Sequence, residues 1–138
     1  MTLVDVLPDV PKLTRAWLLT QTDLTSLVGQ RVTTRSPGPP IVYPYVTLQR
    51  IGGIPSIRQR LDTARIQVDC WAETEGTASR VARVARACLH LMEGYTTAEA
   101  VVTAVEDDLG LSWLPDTTRK PETPRFIFGV AISAHAVP

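Results

Sequence analysis

The sequence is poor in the side chains from which active sites are usually built. Its 138 residues hold two histidines and two cysteines. No CxxC, GxGxxG, P-loop, GxSxG or HExxH spacing occurs, which removes the common signatures of zinc, nucleotide, hydrolase and metalloprotease sites. No apolar run approaches the ~20 residues that cross a bilayer. The opening MTLVDVLPDVPK has no basic segment leading into an apolar one, so no signal peptide is expected, and the expected setting is a reducing cytoplasm. A basic excess is also missing, since 14 basic and 14 acidic residues give zero formal net charge. That balance speaks against a free-standing nucleic-acid binder and favours association with other subunits. At this length one domain over residues 1–138 is expected, burying roughly 70% of its unfolded surface without staples.

What the chain does contain is clear patterning. From Ala64 to Ala72, Ile66, Val68, Cys70 and Ala72 alternate with Arg65, Gln67, Asp69 and Trp71, the period of a half-buried strand. The turn Glu73-Thr74-Glu75-Gly76-Thr77 offers acids and capping hydroxyls to a helix N-terminus. Ala78, Val81/Ala82, Val84/Ala85, Cys88/Leu89 and Met92 then repeat at helical spacing. Arg80, Arg83, Arg86 and His90 fall on the opposite side. Upstream, Pro11 suits a first helical turn. The pattern predicts helix over about 11–28, with a break near Thr22-Asp23 and a stop at Gly29.

A short strand is expected at 31–34. Four prolines between 37 and 44 then exclude helix and central strand, leaving an extended arm. Residues 45–51 alternate as a strand, Gly52-Gly53-Ile54-Pro55 reads as its end, and about ten residues of loop carry Arg58 and Arg60 beside Arg50 and Arg65. Later strands are expected over 100–107, ending in the acids Glu106-Asp107-Asp108, and over 125–134. Residues 111–115 either extend the sheet or re-enter it, and 115–124 is a polar loop. The fold class is therefore α+β: a mainly antiparallel sheet of 4–5 strands with two helices packed on it, in the order helix-strand-strand-strand-helix-strand-strand.

Candidate chemistry is thin. Cys70 and Cys88 lie on apolar faces and read as buried thiols acting as small hydrophobes, with a disulfide left open. His90 rides the arginine side of the helix and His135 sits beyond the last strand. Glu106, Asp107 and Asp108 suggest a divalent cation, yet adjacent acids on a strand point alternately, so only two share a side. No cofactor, metal site or catalytic residue is assigned, and a small metal-dependent hydrolase stays as the alternative from another class.

The stretch LDTARIQVDCWAETEGTASRVARVARACLHLM (61–92) resembles the central signature of small tailed-phage neck proteins, the tail completion or tail terminator family. In that family a Leu-Asp pair leads into an alternating strand ending in Trp, then an acid or Thr turn, then an Ala/Arg-rich helix. DLTSLVGQRV, PYVTLQRIGG and the closing PDTTRKPETPRFIFGVAISAHA extend the likeness over most of residues 11–134, with the stretch 107–115 outside it. The resemblance implies a structural virion protein, assembled in the host cytoplasm, that caps the head-proximal end of the tail tube as a hexameric ring. Its implied partners are further copies of itself, the major tail tube protein and head-closure or connector proteins, with DNA only in transit and no membrane. A head-closure adaptor of the neck is the nearest alternative. On this reading Arg58 and Arg60 line the lumen or touch the tube, while Arg80, Arg83 and Arg86 meet acids such as Glu106, Asp107 and Asp108 of a neighbour.

Overall fold

The computed structural model describes residues 6–56, 60–119 and 121–137. Its elements run α1 (Val10–Leu19), α2 (Thr22–Val28), β1 (Val32–Thr33), β2 (Tyr45–Ser56), β3 (Leu61–Trp71), α3 (Glu75–Leu89), β4 (Ala100–Trp113) and β5 (Arg125–Ala136). The five strands form one sheet in the order β1-β2-β3-β5-β4. Only the short β1–β2 pair is parallel; the other three ladders are antiparallel. The α+β class holds, with three helices where two were expected, because the first helix divides at Thr20-Gln21.

Local chemistry accounts for the helix ends. The Asp9 carboxylate accepts a hydrogen bond from the Lys12 amide at 3.2 Å, and Pro11 occupies the first turn of α1. The Thr74 hydroxyl accepts from the Thr77 amide at 3.2 Å and caps α3, satisfying a donor that the helix cannot. Gly29 ends α2 at φ 58°, a conformation that favours glycine.

All three helices cover one face of the sheet. On the strands, Val46, Leu48, Ala64, Ile66, Val68, Cys70, Phe128, Val130, Ile132 and Ala134 are buried. On α3, Ala78, Val81, Ala82, Ala85, Cys88 and Leu89 meet them. The alanines let the helix approach closely, and each buried Leu, Ile or Phe contributes about 1.5–3 kcal/mol. The Trp17 indole donates to the Cys88 carbonyl at 2.8 Å and ties α1 to the end of α3. Cys70 and Cys88 are buried free thiols, and burial pushes both upward in pKa.

Three expectations are corrected. The ten-residue loop between 52 and 63 is instead a long hairpin, since β2 continues to Ser56 and pairs with β3 down to Leu61. Gly52 and Gly53 do not end the strand; at φ 149° and 122° they follow a register shift at Ile51 and stay paired with Arg65 and Ala64. A Cβ on Gly53 would lie 2.1 Å from the Thr63 carbonyl oxygen, so the close approach requires glycine. Next, β4 does not stop at its acids but runs on to Trp113 with three register shifts. Finally, Trp71 and Asp69 keep the face that alternation gives them but are only 5% and 8% exposed, because that face is not open there: the 114–124 loop folds over that end of the sheet.

Candidate assembly surface

The arginines and acids singled out in the sequence occupy four places. On α3, Arg86 and His90 stand one turn apart. Asp107 lies opposite Val130 in the β4–β5 ladder, on the helix-covered side. Arg86 binds it through Nε at 3.0 Å and Nη2 at 2.5 Å, and His90 Nε2 lies 2.9 Å from its Oδ1. Asp108 points to the other face, as alternation requires. There it meets Arg65 Nε at 2.9 Å, across β5 at Gly129, where a Cβ would press on Leu109 at 3.3 Å. The adjacent acids are therefore split between faces, each beside an arginine. Among the described residues no three His, Cys, Asp or Glu side chains converge as a metal site.

Within one chain, then, Arg86 and Asp107 serve each other. Arg80, Arg83 and Glu106 stay exposed. Among the described residues Arg83 hydrogen-bonds Ser79, at 3.3 Å. Arg60 lies at the hairpin turn and is exposed; Arg58 lies outside the described residues.

The Arg86 hydrogen bond, followed by that of His90, holds the Asp107 carboxyl below its ordinary range. A carboxylate depressed on folding adds stability above its unfolded pKa, about 3.9, and loses it as pH falls through the folded value. Protection factors of the β4 amides, with the intrinsic pH dependence of exchange divided out, should therefore hold above about pH 4 and fall below it. Asp107→Asn should remove that acid step. An acid step that persists in Asp107→Asn would count against the Arg86–Asp107 pair as its source.

The base of the hairpin is held by a second pair. The Arg50 guanidinium makes a two-pronged contact with the Asp62 carboxylate, through Nη1 to Oδ2 and through Nη2 to Oδ1 at 2.8 Å. The Asp62 side chain is fully buried while that of Arg50 is a third exposed. The carboxylate holds the guanidinium above its ordinary pKa.

Sequence reasoning missed an aromatic and arginine cluster at the opposite end of β3. Tyr45 stacks on Trp71 at 5.6 Å and 12°, and Tyr43 leans on Tyr45 at 5.5 Å. Arg119 and Arg125 lie over the Trp71 ring, 4.4 and 4.9 Å from its centroid. Arg119 also donates to the Tyr43 hydroxyl at 3.1 Å, binding the proline arm to the 114–124 loop. Burial raises the Tyr45 phenol above its ordinary pKa; its hydroxyl sits beside Arg119 without a well-formed hydrogen bond. Asp116, held below its usual pKa by the Thr118 hydroxyl and amide, fixes the turn that presents Arg119. The aromatic spacing in YPY and W was visible in sequence, but the arginines come from 48 and 54 residues beyond Trp71.

A family model described as "Tail completion protein gp17" matches residues 13–119. Among curated proteins none matches. A chain of a solved structure described as "Virion of native gene transfer agent (GTA) particle" is similar in fold, with a TM-score of 0.62 at 17% identity, over 89% of this chain and 90% of that one.

Proposed function

This chain belongs to the tail completion protein gp17 family, as a structural, non-enzymatic part of the virion tail, and on that premise we propose that it forms the ring ending the tail tube on its head-proximal side. In this reading residues 1–138 act as one terminator-like domain, and six copies close by rotation. The ring halts addition of major tail tube protein and offers the surface that head-closure or connector proteins join. DNA crosses it only in transit.

The observation that carries the reading is the family match over 13–119, a span holding the hairpin, α3 and β4. Surface charge supports it. A ring built from one kind of subunit needs two different complementary faces. Arg80 and Arg83 on α3 and Glu106 on β4 are exposed charges of opposite sign, able to pair between copies while Arg86 and Asp107 pair within one. Balanced charge fits subunit pairing better than capture of DNA. Arg60, with Arg58 two residues earlier in sequence, is assigned to the lumen or the tube.

Electron micrographs of lysates lacking the gene test the proposal. Headless tails of abnormal length are expected, and complementation with Arg80→Glu plus Arg83→Glu should leave them abnormal although the variant protein melts as the parent does. Tails of normal length that fail to join heads would overturn the terminator reading in favour of an adaptor.

A further inference from the structure

Both edges of the sheet are half covered, and the uncovered halves lie at the same height. On the outer side of β2, β1 pairs only with Val46 and Thr47. From Leu48 to Ile54 that side has no strand partner among the described residues, and Pro55, with no N–H, closes the stretch. On the outer side of β4, the segment 94–97 takes Ala100 to Val102, through Gly94 to Val102 at 2.8 Å, Val102 to Tyr95 at 2.9 Å and Thr97 to Ala100 at 2.8 Å. From Thr103 to Trp113 that edge has no strand partner among the described residues.

The ladders connect the two edges rung by rung. Ile54 pairs with Thr63, Thr63 with Ser133, and Ser133 with Ala104. Arg50 leads in the same way through Ile66 and Val130 to Asp107, and Gln49 through Gln67 and Gly129 to Leu109. Three successive antiparallel ladders leave β4 running antiparallel to β2. A second copy rotated beside the first therefore presents its β4 antiparallel to this β2, with open backbone facing open backbone. Equal height lets a rotation close the set, and strand tilt adds only a fixed offset per copy.

We propose that copies of this chain join edge to edge, the 103–113 stretch of β4 in one copy adding as a strand to residues 48–54 of β2 in the next. The inference rests on the ring reading given above and deepens it. Its occupant is a second copy because the two edges complement each other. The charges there are largely matched within the chain, Arg50 to Asp62, Arg65 to Asp108 and Asp107 to Arg86, so the fit is one of strand direction, height and apolar side chains. Exposed apolar side chains stand on both, Ile51 and Ile54 (74% exposed) on one and Leu109, Leu111 and Trp113 on the other. A long edge bearing such residues is a template for pairing. The three register shifts in β4 add the local coiling that a sheet curving round an axis needs.

Native mass spectrometry separates monomer from assembly, alone and with isolated tail tubes, and amide hydrogen exchange is then read on both populations. The inference expects exchange in 48–54 and 103–113 to slow by about 100-fold together on assembly. Assembly with both stretches exchanging as in the monomer overturns edge pairing and leaves the ring standing. Protection of one stretch alone also overturns it. Absence of any self-association, with or without tubes, overturns both readings.

Discussion

Trp71→Ala is expected to lower the unfolding free energy by about 3–5 kcal/mol, the range for deleting a large buried aromatic, and the melting temperature by roughly 10 °C or more. The ring is almost wholly buried at the end of β3 and holds several separate parts together. Tyr45 stacks against it, Arg119 and Arg125 lie over it, and its indole N–H points to the Thr47 hydroxyl at 3.4 Å. Each arginine contact is worth about 0.5–2 kcal/mol where water is excluded. Alanine would leave both guanidiniums without their ring and Tyr45 with one open face. Arg119 is the side chain by which the 114–124 loop lies on the ring, so limited proteolysis should cut that loop earlier in the variant. Trp71→Phe keeps a ring in place and should recover most of the stability. A loss under about 1 kcal/mol for the alanine variant would mean that the cluster is surface decoration.

The same residue marks where the sequence stops being readable. The period of two along 64–72 correctly named the helix-covered side, and Ile66, Val68 and Cys70 are buried there. It placed Trp71 on the open side, which is also correct, but periodicity is blind to what a distant loop lays over that side. Arg119 arrives through a turn set by Asp116 and Thr118 and Arg125 as the β5 residue paired with Trp71, and nothing near Trp71 announces them. Gly52-Gly53 misled in a different way. Two glycines before a proline look locally like a strand end, yet pairing with β3 carries the strand through them, because Gly53 alone tolerates contact with the Thr63 carbonyl. Long-range pairing overrode a local signal. The acids of β4 were the reverse case. Alternation alone required Asp107 and Asp108 to part, and they do, toward Arg86 on one face and Arg65 on the other. The residue types in that charge pairing were legible; that Arg86 finds Asp107 in its own chain was not, since the reach from α3 to β4 depends on the whole sheet order.

The hairpin that local reading mistook for a loop sets the second large effect. Arg50→Met should destabilise the protein by about 3–5 kcal/mol, the cost of stripping a buried charge of its partner. The Asp62 side chain has no exposure, and Arg50 supplies both prongs of its hydrogen bonding. Methionine keeps the length and the apolar stem of arginine but donates nothing, so the carboxylate is left uncompensated. The double variant Arg50→Met/Asp62→Leu removes both charges at similar volume and should return to within about 1 kcal/mol of the parent, as buried pairs replaced by apolar residues often do. Chemical denaturation of the two variants and the parent separates these outcomes. Equal destabilisation in single and double variants would mean that the site needs arginine for shape and not for charge. The pair also ties β2 to β3 across Gly52-Gly53, since Asp62 lies opposite Pro55 beyond the register shift while Arg50 lies before it. Its loss should free the distal hairpin, so exchange at 52–56 and 61–64 should rise in Arg50→Met even under conditions where the core of the sheet stays protected. In the double variant that local exchange should stay fast although global stability returns, because two apolar side chains fill the space without fixing the register of the two strands. That split between restored stability and a loose hairpin would identify the ion pair as the element that aims the hairpin, the property an assembling subunit needs from it.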